Sequence, residues 1–237
     1  LDTSGKTSEA PPASYYQILR EPDLAMENST QLFLGIRFNC NKCHDHPFER
    51  WTQKDHWQMA AFFAQVDRKP VAGSAMLRGG LPAEELIGDK IEGEVHYPDS
   101  TRVAPPLFPY EHAGSKPEAG TRRAQLAAWT TAAENPYFAR SMANRVWSYF
   151  MGRGIIHPVD DIRAGNPATH PELLERLTSQ FIDEGFDLRS LMRTICTSRT
   201  YQHSVATTQW NAGDDINYGH ALARRLPSEV LFDAVHQ

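Results

Sequence analysis

Cys40-Asn41-Lys42-Cys43-His44, followed by Trp51-Thr52-Gln53-Lys54-Asp55, is the stretch from which the fold and chemistry of this chain are best read. Two thiols three residues apart, with an imidazole directly after the second, have the spacing of c-type haem attachment. In that chemistry each sulfur adds to a haem vinyl group and the histidine binds iron from the proximal side. The Thr-x-x-Asp run that follows is a helix start, in which hydroxyl and carboxylate each satisfy the other residue's N–H. Trp57, Ala60, Ala61, Phe63 and Ala64 then recur at helical spacing. Upstream, Asn28 or Ser29 reads as the cap of a helix running through Leu32, Phe33, Ile36 and Arg37 into the motif. The thiols are thus predicted to lie between two helices.

Three other uses of the same residues compete with covalent haem, and haem ranks above them. Structural zinc takes four ligands, and the third cysteine, Cys196, is far away, so the zinc set would be Cys40, Cys43, His46 and a distant histidine. A thioredoxin-like dithiol would need the flanking strand and helix of a βαβ unit, which the pattern lacks. A plain disulfide is the remaining structural use.

The chain has 237 residues, 41% of them hydrophobic, enough for a core in one large or two small domains. Its net charge of −5 gives no basic footprint for nucleic acid, and no Lys/Arg run reads as a membrane-surface patch. No apolar run approaches the roughly 20 residues of a membrane-crossing helix, and the N-terminus lacks the charged-then-apolar plan of a signal peptide. Leu1 is not an initiator methionine, so the chain is expected to be an internal fragment with any export signal upstream. Bacterial c-type attachment operates outside the cytoplasm, which makes a periplasmic or secreted location the expectation.

Residues 1–13 are rich in Ser, Thr, Gly and Pro and should be irregular. A first helix is predicted from Ala13 or Ser14, with Tyr15, Tyr16, Ile18 and Leu19 on it, interrupted by Pro22. Between residues 67 and 120 helical periodicity gives way to Pro and Gly, with a short strand over 93–97 and extended chain over 103–109. Helical pattern returns at Thr121, with Leu126, Trp129 and Thr130 on one face. Asn135-Pro136 opens the next helix, which carries Phe138, Met142, Val146, Trp147 and Phe150 and stops at Gly152 and Gly154. Thr169 or His170 caps a third, starting at Pro171, with Leu173, Leu174, Leu177 and Phe181 as its stripe. Gly185 ends it before Leu188, Leu191, Met192, Ile195 and Cys196, and a last helix begins near Leu226-Pro227-Ser228-Glu229. The fold class expected is mainly α, a helical haem-binding segment packed with a second helical domain and joined by an irregular Pro/Gly-rich region with short strands.

The residues also carry a family resemblance. Gln31-Leu32-Phe33-Leu34-Gly35, Cys40 through Phe48, Trp51-Thr52-Gln53 and Ala60 through Phe63 resemble the planctomycete cytochrome-c-like PSCyt2 domain. Asn135-Pro136, Ala139-Arg140, Asn144-Arg145-Val146-Trp147, Gly152-Arg153-Gly154, Asp160-Asp161, Arg163, Asn166-Pro167, His170 through Leu174 and Thr197 through Gln202 resemble its usual companion, PSD1. The resemblance implies a domain order of 1–66 (the C-terminal part of PSCyt2), 67–120 (linker or excursion) and 121–237 (PSD1, truncated). It implies a large, secreted, multidomain bacterial protein and no established reaction.

For the sixth iron position the candidates are His170, ranked first because it starts a helix within a family motif, then Met59, His56 and His157. His46, two residues from the proximal His44, is better placed to bond a propionate or a carbonyl. The resemblance to PSCyt2 implies an aromatic residue at the His56 position, so the imidazole there is a departure from the family pattern. Asp160, Asp161 and Arg163 beside His157 could do acid and base work, making an exported enzyme the second alternative to a haem protein; ion pairing with nearby arginines is the stronger use. Phe38, Phe48, Trp51, Trp57, Phe62 and Phe63 could wall a haem or fill a helical core. The function expected is electron transfer or redox support, with a redox partner protein or a neighbouring domain of the same chain as partner.

Overall fold

A computed structural model describes residues 1–77, 79–98, 100–113 and 119–236; positions 78, 99 and 114–118 of the expected excursion, and Gln237, lie outside the described residues. The chain forms two compact units. Unit 1 comprises Leu1–Phe138 with Asp160–Gly165, and unit 2 comprises Ala139–Val159 with Asn166–Gln237. Among the described residues no helix is long and apolar enough to cross a membrane.

Unit 1 is helical around a small sheet. α1 (Ser14–Ile18) is followed by α2 (Pro22–Ser29), which runs on as a π-helical turn over Thr30–Leu34. Pro22 therefore opens a helix rather than only interrupting one, and Asn28 and Ser29 lie inside it instead of capping it. A proline at the first helical position forfeits no bond, since that N–H has no partner in any case, and Asp23 complements the helix start. The helix stops at Gly35, whose φ of 68° is left-handed, so Ile36 and Arg37 fall beyond it and it does not run into the thiols. A 3-10 turn, Asn39–Lys42, carries Cys40, and α3 (Gln53–Ala60) follows. Thr52 caps α3 in both senses: its hydroxyl accepts from the Asp55 N–H at 3.1 Å and the Asp55 carboxylate accepts from the Thr52 N–H at 2.8 Å.

The region between residues 67 and 120 is built into unit 1. β2 (Val66–Pro70) leaves α3 almost directly and pairs antiparallel with β3 (Glu85–Asp89), which pairs on its other edge with β1 (Gly5–Lys6). Ile87 of the central strand is buried. The strand expected over 93–97 is β4 (Val95–His96), paired with β5 (Val103–Ala104). α4 (Arg122–Thr131) buries Leu126, Trp129 and Thr130. It also buries Arg123, whose guanidinium forks onto both Asp89 oxygens at 2.8 and 2.6 Å, the pairing that a buried cation requires.

Unit 2 contains α5 (Phe138–Met151, whose first residue belongs to unit 1), α6 (Pro171–Asp183), α7 (Leu188–Cys196) and α8 (Ser228–His236). Leu174, Leu177 and Phe181 of α6 and Leu191 and Ile195 of α7 form buried stripes. Asp187 caps α7 by accepting from the Arg189 and Ser190 N–H groups. At the start of α6 His170 occupies the cap position without making a side-chain capping bond. From within α5, buried Asn144 donates to the Ile156 carbonyl and accepts from the Ile156 N–H, both at 2.9 Å, across the turn that follows the helix. Its carboxamide thus closes the turn as a second strand would. A Cβ on Gly154 would lie 2.4 Å from that carbonyl, which accounts for the glycine there.

Candidate functional site

The thiol motif is held by its backbone and left open at its side chains. Asn41, fully buried, donates to the Trp51 carbonyl at 2.7 Å, and the His46 N–H donates to the same oxygen at 2.8 Å. Gln53 donates its side-chain amide to the Lys42 and Cys43 carbonyls at 3.1 and 2.8 Å, while the Asp45 carboxylate accepts from the Gln53 N–H at 2.8 Å. Lys42 is drawn away by Asp23 of α2 at 2.6 Å, and that ammonium outweighs the burial that would otherwise raise the Asp23 carboxyl, holding it below its ordinary range. Cys40 and Cys43 are exposed free thiols, and His44 is exposed between them and α3.

The two neighbouring imidazoles are in opposite tautomers. His44 Nδ1 lies 2.6 Å from the Asp45 carbonyl oxygen, so Nδ1 carries the proton and Nε2 keeps its lone pair. A carbonyl on the far nitrogen is the usual support of a metal-binding histidine. His46 Nδ1 accepts from the Phe48 and Glu49 N–H groups at 3.2 and 3.0 Å, so its proton is on Nε2. Neither His46 nitrogen then offers a lone pair, which conflicts with the zinc set built on Cys40, Cys43 and His46. A propionate or carbonyl partner suits its Nε2–H. Among the described residues no group of three or more His, Cys, Asp or Glu side chains forms a metal-binding cluster.

Cys40, His44 and His46 line a cavity of about 500 Å³, within the range of roughly 300–1,000 Å³ common for small-molecule sites. Ile36, Pro47, Phe48 and Trp51 supply apolar wall. Phe48 is 84% exposed and Trp51 only 4%, so the first serves the cavity rather than the core, whereas the second does both. Phe38, Phe62 and Phe63 are core residues, and Trp57 packs against that core half-buried.

The remaining wall comes from Asp161, Ile162 and Arg163. Asp160 accepts from Arg37 Nη2 at 2.6 Å and from the Gln31 amide, and these bonds outweigh burial and hold its carboxyl below the ordinary range. Asp161 pairs with Arg163 at 3.0 Å, and the Ile162 N–H donates to the Gly35 carbonyl at 2.8 Å. The carboxylates are ion-paired, as the stronger sequence reading has it, with Arg37 as an unforeseen partner. Two constellations that stood apart in sequence meet at one cavity.

Of the iron-ligand candidates in unit 1, Met59 lies in the core and His56 is fully buried. His56 Nδ1 faces the Phe38 carbonyl at 3.1 Å, and burial lowers its basicity. Both are consumed by packing, which follows from their place on the inner face of α3. His157 and His170 belong to unit 2, where His157 is exposed and His170 Nδ1 lies 3.1 Å from Thr169 Oγ1. The site residues that sequence reasoning missed are Asn41, Asp45, Gln53 and Arg37. A carboxamide inside a tight thiol motif was the available signal for Asn41.

Residues 4–68 match the family model of PSCyt2, a protein of unknown function (DUF1549). Residues 122–237 match that of PSD1, a protein of unknown function (DUF1553), so the chain carries a PSCyt2 region followed by a PSD1 region, in the order that the sequence resemblance implies. No curated protein and no solved structure matches the chain.

Proposed function

We propose that the cavity binds one covalent c-type haem through Cys40 and Cys43, with His44 Nε2 as the proximal ligand, and that the chain serves electron transfer or redox support in a larger extracytoplasmic protein. The carrying observation is a backbone locked by Asn41, Asp45 and Gln53 that leaves the Cys40 thiol and His44 Nε2 free at a partly apolar cavity, with the Cys43 thiol also free and exposed. Attachment needs only addition of each S–H across a vinyl double bond, so the thioethers form without an oxidant. Bound there, the group supplies one-electron redox chemistry. The chain's own work is to fix the Nδ1–H of His44 on the Asp45 carbonyl, to exclude water with Phe48 and Trp51, and to present an exposed rim to a redox partner or neighbouring domain.

The test is export of the chain in a host carrying c-type attachment machinery, followed by intact mass and a pyridine haemochrome spectrum. The expected result is one haem mass and a Soret band, both lost in Cys40→Ala/Cys43→Ala. A native chain of unmodified mass with stoichiometric zinc would overturn the reading.

A further inference from the structure

We propose that Asp160–Arg163, a segment of the PSD1 region, is a permanent wall of the cavity that holds Cys40 and His44, with Arg37 and Asp160 as positioning residues that clamp it there. The nature of the occupant rests on the haem reading, but the wall does not.

Three contacts fasten the segment, and each joins the PSD1 match to the PSCyt2 match. Asp160 takes Arg37 and Gln31, 123 and 129 residues away in sequence. The Ile162 N–H takes the Gly35 carbonyl, which the left-handed turn at Gly35 leaves outside the helical ladder. Ile162 itself is 8% exposed. Ordering irregular backbone costs on the order of 1–2 kcal/mol per residue, so a segment fixed at both a charged and a backbone bond is held against a real entropic cost. The alternative is that it merely packs. Packing alone does not explain why the residues after the clamp, Asp161 through Arg163, line the cavity of the thiol motif. The PSCyt2 motif thus supplies the reactive atoms, and PSD1 supplies part of their enclosure.

The cofactor-free full chain, with Cys43 and Cys196 replaced by Ser and Arg163→Cys added, is treated with a short bismaleimide and mapped by mass spectrometry. An intramolecular link from Cys40 to position 163 is expected. Asp160→Ala or Arg37→Ala should lower the linked fraction about tenfold, the factor lost with one charge-assisted hydrogen bond, and the swap Arg37→Asp/Asp160→Arg should restore it. Circular dichroism confirms that each variant is folded, and Arg37→Lys, which keeps the charge, should link at an intermediate level. No link in the parent, or a link indifferent to Asp160, overturns the wall. In haem-loaded native chain, amide exchange over 160–165 should slow at least about tenfold relative to the empty chain, and unchanged exchange would overturn its role in the cofactor site. Failure to load haem would sink the proposed function alone, because the cross-link decides the wall without it.

Discussion

Two buried asparagines do the same job in the two units to opposite ends. Asn41 and Asn144 are both fully buried and both grip a backbone carbonyl through Nδ2. Asn144 also accepts from the residue it donates to, and Ile155 and Ile156 around it are buried, so that motif is used up in making the turn. Asn41 makes a single bond, and its neighbours Cys40 and Cys43 are left exposed with their thiols free. One motif spends its heteroatoms on the fold; the other uses a buried amide to hold the backbone and leaves its thiols out, as the proposed attachment requires.

The sharpest way to break this contrast is Asn144→Ala. It strands both polar groups of Ile156 in the interior, and unit 2 should lose about 3–5 kcal/mol in urea denaturation, at about 1–3 kcal/mol for each orphaned group. Gly154→Ala should cost about 2–3 kcal/mol through overpacking against the Ile156 carbonyl. The double variant should cost less than the sum, since each change breaks the same turn. A loss under about 1 kcal/mol from Asn144→Ala would show that the bracket does not shape unit 2. Asn41→Ala should cost only about 1 kcal/mol, because the Trp51 carbonyl keeps the His46 N–H and the Asn41 oxygen has no partner to strand. Asn41→Ala should nonetheless lower haem attachment far more than its stability cost, since it frees the loop that sets the two thiols apart.

The same contrast separates what the sequence discloses from what it hides. Periodicity places α3, α4, α6 and α7, and the Thr52–Asp55 box is local chemistry within four residues. β2 and β3 escape notice because Val66–Pro70 and Glu85–Asp89 alternate only weakly and pair across a Pro- and Gly-rich stretch. The motif itself nominates Cys40, Cys43 and His44 through its spacing, and the haem proposed for them rests on that spacing together with the cavity. Arg37 meeting Asp160 could not be read, since a contact across 123 residues leaves no local pattern. Burial likewise decides His56 and Met59, which spacing alone leaves available as ligands.

A smaller effect probes the layer behind the motif. His56 is buried beside the Phe38 carbonyl, with Glu27 at 3.9 Å and the Asp23–Lys42 pair next to it, and burial lowers its pKa below the ordinary 6.5. Between the lowered folded value and 6.5 the unfolded chain binds more protons than the folded one. Stability is therefore full above about 6.5 and falls as pH drops through that window. Wild-type unit 1 should lose stability from pH 7 towards pH 5, and His56→Gln should flatten that slope; an unchanged slope would place its origin in another group.

The smallest effect expected is the most telling for the contrast. Cys40→Ser/Cys43→Ser should leave the melting of the cofactor-free chain within about 0.5 kcal/mol of wild type, the range of exposed substitutions that touch no packing. Asn41, Asp45 and Gln53 keep every bond that shapes the loop, so nothing in the fold depends on sulfur. Haem mass, by contrast, should vanish entirely. Were the double serine variant to lose several kcal/mol without any cofactor present, the cysteines would be fold residues like Asn144, and the division between a motif that is used up and one that is held open would fail at its own site.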